Sequence, residues 1–337
     1  MKDNDLILAD KTQATLFTPD PHEYDRQLNL YIDGNRLETT KHPTILGLTF
    51  DPKLTFNEHL KRTENKAKSA LKLVKAISGT NWGQQKETIV STYKSYTRPI
   101  LEYACPAWAP IVSSTSLSKL QTVQNSALRC ATGHTRDTNN NNYHSETKVL
   151  PIHKHVQMLT SMYREGVRDQ EHPLHESLTH PEPDRKMKAT AQSLDYSWVV
   201  HSCDNEDPSK ERQRNKQRLH TAFVQQHLAD AATNDLIGRP PPEVHCSEEQ
   251  LPRAMRRTLA QLRARKCPLL QAYLHSIRAA EVPSCPLCGH LEHDTAHLFS
   301  CSELPTQLVP LDLWLRPAQA AALVEEWQSK LAENEEA

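Results

Sequence analysis

The densest group of chemically competent side chains in the sequence is Cys285-x2-Cys288-x8-His297-x3-Cys301. Two thiolates in a C-x2-C pair can grip one side of an ion from a tight turn, and His297 and Cys301 share a face if the chain between them is helical. Three sulfurs and one imidazole suit tetrahedral structural zinc, with no position left for a reactive water. The plainer alternative is a pair of free thiols beside an unrelated His and Cys. His290 and His293 are spare donors, read as solvated or supporting. Residues 284–304 hold few large apolar groups, so metal binding, worth about 10–16 kcal/mol in small zinc peptides, is expected to supply the missing core.

Charge is the second chemical feature. Arg253, Arg256, Arg257, Arg263, Arg265, Lys266 and Arg278 fall in one stretch that contains no Asp or Glu. Upstream, Lys61, Arg62, Lys66, Lys68, Lys72 and Lys75 accompany an apolar stripe, and Arg212, Arg214, Lys216 and Arg218 form a shorter run. Each set is either a solvated helix face or a row of phosphate contacts, which would be sequence-tolerant and salt-dependent. The net charge of −1 excludes a uniformly basic nucleic-acid binder but not such local faces.

Catalytic motifs are absent. The sequence has no P-loop, no glycine-rich dinucleotide turn, no G-x-S-x-G and no H-E-x-x-H. Asp3, Asp5 and Asp10 precede a strand-like segment, but two-metal phosphoryl chemistry needs carboxylates converging from separate strands. No catalytic residue is assigned. The scattering of Cys105, Cys130, Cys203, Cys246 and Cys267 argues against a disulfide framework and for a reducing, intracellular compartment. No signal peptide and no apolar run of about twenty residues is present, so no membrane association is expected, and nucleus and cytoplasm are not distinguished.

The elements that must carry these groups are mostly helical. Residues 14–17, 28–32 and 44–50 read as short strands, with a turn at Asp33-Gly34-Asn35. Thr55 and Glu58 have capping-box spacing ahead of Leu60, Ala67, Leu71, Val74 and Ile77, with Gly79 as the stop. Ile89, Tyr93, Tyr96, Ile100 and Ala104 mark a second helix, kinked or divided by Pro99. A third runs from Leu117 to Ala131 and stops at Gly133; the three stripes can pack as one bundle. Residues 137–143, which hold the Asn139–Asn142 run, read as a polar loop, residues 150–167 as helix, 171–185 as linker, 210–228 as a basic helix, and 253–280 as a helix interrupted at Pro268. With 8 Gly against 22 Pro, the composition favours helices separated by stiff breaks.

Several segments then fall in a telling order. They are Thr15-Leu16-Phe17-Thr18-Pro19-Asp20, Ile45-Leu46-Gly47-Leu48-Thr49-Phe50-Asp51 and Leu54-Thr55-Phe56 with His59. Gly79-Thr80-Asn81-Trp82-Gly83 and Ile100-Leu101-Glu102-Tyr103-Ala104-Cys105-Pro106-Ala107-Trp108-Ala109-Pro110 follow. The series ends with Leu120-Gln121-Thr122-Val123-Gln124-Asn125-Ser126-Ala127-Leu128-Arg129, Thr258-Leu259-Ala260-Gln261-Leu262-Arg263 and Asp294-Thr295-Ala296-His297-Leu298-Phe299-Ser300-Cys301. Together they resemble the C-terminal part of non-LTR (LINE-type, jockey-like) retrotransposon reverse transcriptases, from about residue 13 to residue 325, most weakly across 165–250. The resemblance implies a residual palm and palm–thumb β segment at 1–56, a thumb-like helical bundle at 57–136 and a helical connector with linkers at 137–250. Residues 251–337 would hold the basic helix, the CCHC knuckle and a C-terminal tail. It also implies that the lysines of residues 61–75 face a phosphate backbone. The family's aromatic-Ala-Asp-Asp box is not in this sequence, and Leu8-Ala9-Asp10-Lys11 only echoes it.

The expected fold class is therefore mainly α with a small N-terminal antiparallel β patch (α+β), ending in a helix and a zinc knuckle. The expected function is that of a fragment of an RNA-directed DNA polymerase, inactive by itself and binding RNA or DNA weakly. Structural zinc is the expected cofactor, with magnesium entering only if the missing palm is supplied. A zinc-containing protein–protein adaptor and a non-functional relic are the alternatives. Oligomeric state is left open.

Overall fold

The computed structural model describes residues 12–32, 34–79, 82–167, 208–229 and 233–336. The acidic residues before Lys11, the linker at 171–185, Asp33 and Cys203 lie outside them. The fold is mainly helical with a little β structure. It divides into two compact units that are interleaved in sequence: residues 1–68, 99–121 and 152–201 form the first, and residues 69–98, 122–151 and 202–337 the second.

The first unit begins with two-residue strands. β1 (Gln13–Ala14) pairs with β4 (Glu38–Thr39) in parallel, so the N-terminal patch is not wholly antiparallel as expected. β2 (Tyr31–Ile32) and β3 (Asn35–Arg36) form one hairpin, β5 (Thr44–Ile45) and β6 (Leu48–Thr49) another. The segment 44–50 is thus folded back on itself rather than extended. Leu46 and Gly47 both take positive φ (48° and 82°), which a two-residue turn matching strand twist requires. Tyr103 donates its hydroxyl to the Leu46 carbonyl (2.9 Å), and its ring lies where a Gly47 side chain would be.

α1 (Asn57–Ala76) follows, but not from a capping box. The Thr55 hydroxyl is bonded to the Asp51 carboxylate instead, and Glu58 pairs with Arg62 at 3.2 Å. Phe56 is wedged into an aromatic chain in which Phe50, Phe56, His59 and Trp108 succeed one another at centroid distances of 5.4–6.4 Å. Trp108 is fully buried and donates to the Tyr103 carbonyl (2.8 Å). It belongs to α4 (Cys105–Trp108), which packs against α7 (Ile152–Val167).

Pro99 divides its helix as expected, by way of a wider turn. α2 (Lys86–Thr92) passes into a π-helical segment (Tyr93–Thr97) and then α3 (Arg98–Glu102). Proline offers no N–H and crowds the carbonyl four residues back, and a wider turn is the local way to absorb that. α5 (Ser114–Thr132) ends at Gly133, which takes φ 78°. The asparagine run is helix rather than loop: α6 (Asn140–Thr147) is capped by Asn139, whose side chain accepts from the Asn141 N–H (3.0 Å). Tyr143 and His144, both buried, anchor it.

The second unit continues with α8 (Pro208–Ala229), α9 (Arg253–Arg263), α10 (Gln271–Ser276), α11 (Thr295–Leu298), α12 (Asp312–Leu315) and α13 (Pro317–Glu336). The 253–280 helix breaks at Ala264, earlier than Pro268, because Arg265 is left-handed (φ 55°) and its N–H folds back to the Leu262 carbonyl. Leu259 and Leu262 of α9 share a core with Cys285, Cys301, Leu313, Trp314, Val324 and Trp327. No helix among the described residues is long and apolar enough to cross a membrane.

Candidate metal centre

The four sequence-selected donors meet in space. The ligand atoms of Cys285, Cys288, His297 and Cys301 all lie within 4.8 Å of one another. Tetrahedral zinc–thiolate bonds of about 2.3 Å place ligand atoms about 3.7 Å apart, so the set fits one ion after small side-chain adjustments. Backbone geometry explains the convergence. The Gly289 N–H bonds the Cys285 carbonyl (2.9 Å) and the Cys285 N–H bonds the His290 carbonyl (2.8 Å), closing a turn that aims both thiols inward. Gly289 sits in that turn at φ 73°, where a side chain would be strained. On the other side Asp294 caps α11 by accepting from the His297 N–H (2.9 Å). One turn later the chain presents Cys301.

The protonation tendencies of these groups suit a cation. The backbone N–H of His290 lowers the Cys288 thiol below its usual range. Burial, together with the neighbouring thiols, pushes Cys301 up to about 11. Burial and the His290 charge hold His297 low, keeping its imidazole neutral and able to donate a lone pair. Clustered thiolates repel one another, and a divalent ion relieves that repulsion. The two spare histidines have other tasks. His290 stacks on His297 at 4.4 Å, while buried His293 accepts the Gln271 N–H and packs on Trp327 at 5.0 Å. Four protein donors describe a structural centre, without a water to activate.

One expectation about this segment is corrected. Residues 284–304 do not lack a core, because Trp314, Leu323, Val324 and Trp327, all distant in sequence, enclose the two buried cysteines. A metal here would tie an existing core together rather than replace one.

The basic residues divide sharply. On α9, Arg253, Arg256 and Arg263 are buried. Arg253 donates to the carbonyls of Gly79 (2.9 Å), Cys130 (2.9 Å) and Ala131 (3.3 Å), near the C-terminal ends of α1 and α5. Arg256 holds Gln85 and Glu87; Arg263 holds Glu248, Glu146 and the Leu313 carbonyl. Arg257 donates to the Gly133 carbonyl, Arg265 pairs with Asp294 and Lys266 with Asp137. Arg253 and Arg257 therefore direct their guanidinium groups at the C-terminal ends of α1 and α5, as positive charge near a C-terminal dipole should be, whereas Arg256 and Arg263 neutralise carboxylates. On α1, by contrast, Lys61, Arg62, Lys66, Lys68, Lys72 and Lys75 are all exposed. Arg62 pairs with Glu58 and Lys68 with Glu64; Lys61, Lys66, Lys72 and Lys75 have no acidic partner among the described residues.

The second unit also holds a cavity of about 440 Å³, where cations such as Lys94 alternate with carboxylates such as Glu249. That mixture gives no single-sign field for a phosphate. Sequence reasoning passed over this buried ionic network, since its paired members lie up to 169 residues apart, as Glu87 and Arg256 do.

Comparison with known proteins yields one similarity. The chain is 22% identical over 157 residues to the Drosophila melanogaster protein described as "Probable RNA-directed DNA polymerase from transposon BS". The chain is similar to a transposon polymerase. The match covers 47% of this chain and 17% of that protein, so the chain spans about a sixth of its relative's length. No family model and no solved structure matches the chain.

Proposed function

We propose that this chain is the C-terminal, nucleic-acid-holding part of an RNA-directed DNA polymerase of the non-LTR retrotransposon type, stabilised by zinc at Cys285, Cys288, His297 and Cys301. The observation that carries the proposal is the exposed face of α1. Lys61, Lys68, Lys72 and Lys75 recur at intervals of seven, four and three residues, which keeps them on one side of the helix. They span about 21 Å at 1.5 Å per residue, matching about six phosphates of one strand. The adjoining side, about 100° round the helix, is apolar, with Leu60, Ala67, Leu71 and Val74 buried. The similarity to a transposon polymerase supplies the partner class. In this reading residues 57–136 act as the thumb and residues 251–337 as a metal-tied brace, with Arg265 and Lys266 in the turn that follows α9. The protein is taken to be intracellular.

The chemistry of nucleotide addition is not assigned to this chain, whose sequence holds no aromatic-Ala-Asp-Asp box. Zinc would be held by three thiolates and one imidazole as a structural Lewis acid. The residues around it keep His297 neutral and fix the cysteine turn.

Two measurements test the proposal. Salt titration of binding to duplex nucleic acid should give a steep slope, and replacing Lys61, Lys68, Lys72 and Lys75 by Gln should reduce it by about 3–4. An unchanged slope would remove α1 from the account. A primed RNA template with magnesium and nucleotides should show no extension by this chain; extension would mean that its carboxylates do polymerase work after all.

A further inference from the structure

Shortly after α1, Trp82 presents an aromatic ring to solvent. Trp82 is 76% exposed, whereas Trp108, Trp314 and Trp327 are buried. An exposed indole offers a large flat amphipathic face of the kind enriched at binding surfaces. It is also held firmly. The indole lies on Gly79, where a Cβ would come within 2.4 Å of the ring, and a Cβ on Gly83 would come within 2.4 Å of the Gly79 nitrogen. The Gly83 N–H bonds the Gly79 carbonyl (3.2 Å), and the Gln84 N–H returns to the Ile77 carbonyl (2.8 Å), bringing Gly83 and Gln84 against the end of α1. From beneath, buried Arg253 donates to the same Gly79 carbonyl (2.9 Å) and reaches the Ser78 carbonyl (3.5 Å).

We propose that Trp82 is a stacking platform for an unpaired nucleobase, set at the end of the cationic face of α1 by Gly79, Gly83 and Arg253. Lys72 and Lys75 lie in the last two turns of α1 before Trp82, are exposed, and have no acidic partner among the described residues. Cationic side chains that follow a backbone, beside an aromatic face, form the arrangement that binds single strands without reading sequence. A rigid platform adds affinity because little side-chain freedom is lost on binding. The apolar ring selects a base over a phosphate or sugar, and the neighbouring lysines select a polyanion over an apolar peptide. Arg253 is a positioning residue here, since it touches the Gly79 carbonyl and not the ligand.

The inference rests on the nucleic-acid reading above, and one experiment separates the two. The full zinc-loaded chain is titrated with a single-stranded oligonucleotide and with an abasic strand of equal length, which keeps the phosphates and lacks the bases. The wild type should prefer the base-bearing strand by roughly five- to 150-fold, the range of one base–aromatic stack. Trp82→Ala should lose that preference while still binding the abasic strand, and Trp82→Phe should retain most of it. Indole fluorescence should be quenched by the base-bearing strand in the wild type and not in Trp82→Ala. Equal binding of both strands by the wild type and Trp82→Ala would overturn the platform while leaving α1 as a phosphate contact. Absence of any salt-sensitive binding would overturn both readings. A wild type that self-associates while Trp82→Ala stays monomeric, with base preference unchanged, would assign the ring to a protein partner and overturn the platform.

Discussion

Replacing Arg263 by Met should cost a large share of the stability of the second unit. The side chain is 2% exposed and makes four contacts with three acceptors at once. It gives two hydrogen bonds to the Leu313 carbonyl (3.0 and 2.6 Å), one to Glu248, and a longer contact to Glu146 (3.5 Å). After substitution Glu248 still has Lys86 at 3.2 Å and Arg256 at 3.8 Å. Among the described residues Glu146 keeps only His134 at 3.8 Å, and burial holds that imidazole below the ordinary histidine range and hence neutral. One buried carboxylate is left uncompensated, a change that costs about 3–5 kcal/mol against a total stability of about 5–15. Urea unfolding at neutral pH, followed by Trp314 and Trp327 fluorescence, should show a midpoint lower by at least about 1 M, given slopes of about 1–3 kcal/mol per molar. Adding Glu146→Gln to the variant should restore part of the loss, because it removes the orphaned charge. A midpoint within experimental error of wild type, or a double variant no better than the single one, would refute the account of this network.

Other perturbations probe other parts of the structure. Chelating zinc, or the Cys288→Ser change, should lower the melting temperature of the second unit without abolishing its helicity, because the surrounding core is independent of the metal; cobalt in place of zinc should show the visible bands of tetrahedral thiolate coordination. Gly133→Ala should cost about 1–3 kcal/mol in denaturant, since its φ is 78° and its Cβ would fall 2.2 Å from the Arg257 side chain. Stability should fall as the medium is acidified from about pH 6.5, because His134 is lowered by burial and the unfolded chain takes up the proton first. Glu248, whose burial is outweighed by Arg263 and Lys86, is lowered as well; its contribution is present above about 4.5 and lost as pH falls through its folded value. Calorimetry of His134→Gln across this range should show a shallower decline between pH 6.5 and 5; an unchanged profile would exclude His134.

Much of this was legible in the residues. The stripe Leu60, Ala67, Leu71, Val74 is a buried helix face, the Gly133 stop is real, and the cysteine and histidine spacings bring four donors together. What escaped has physical reasons. The Leu46-Gly47 turn hides in an apolar run because its Leu accepts a left-handed conformation that composition does not advertise. Asn139 reads as loop yet caps a helix, and only burial of Tyr143 and His144 decides between the two. The arginines of α9 look like a phosphate-binding row because sequence shows charge but not the carbonyls that receive it. Periodicity reports which face of a helix is wet only when its partners are apolar.

The interleaving of the two units bears on how the chain comes to be made. Arg256 and Arg263 close on Glu87 and Glu146, residues synthesised long before them. At about 5–20 residues per second, translation from Glu87 to Arg263 takes roughly ten to forty seconds. During that interval the ends of α1 and α5 wait without the guanidinium that will cover their carbonyls, and the buried acids remain in water. The second unit can therefore fold only after its last segment has left the ribosome. A nascent chain stalled before α9 would be a natural client for a chaperone.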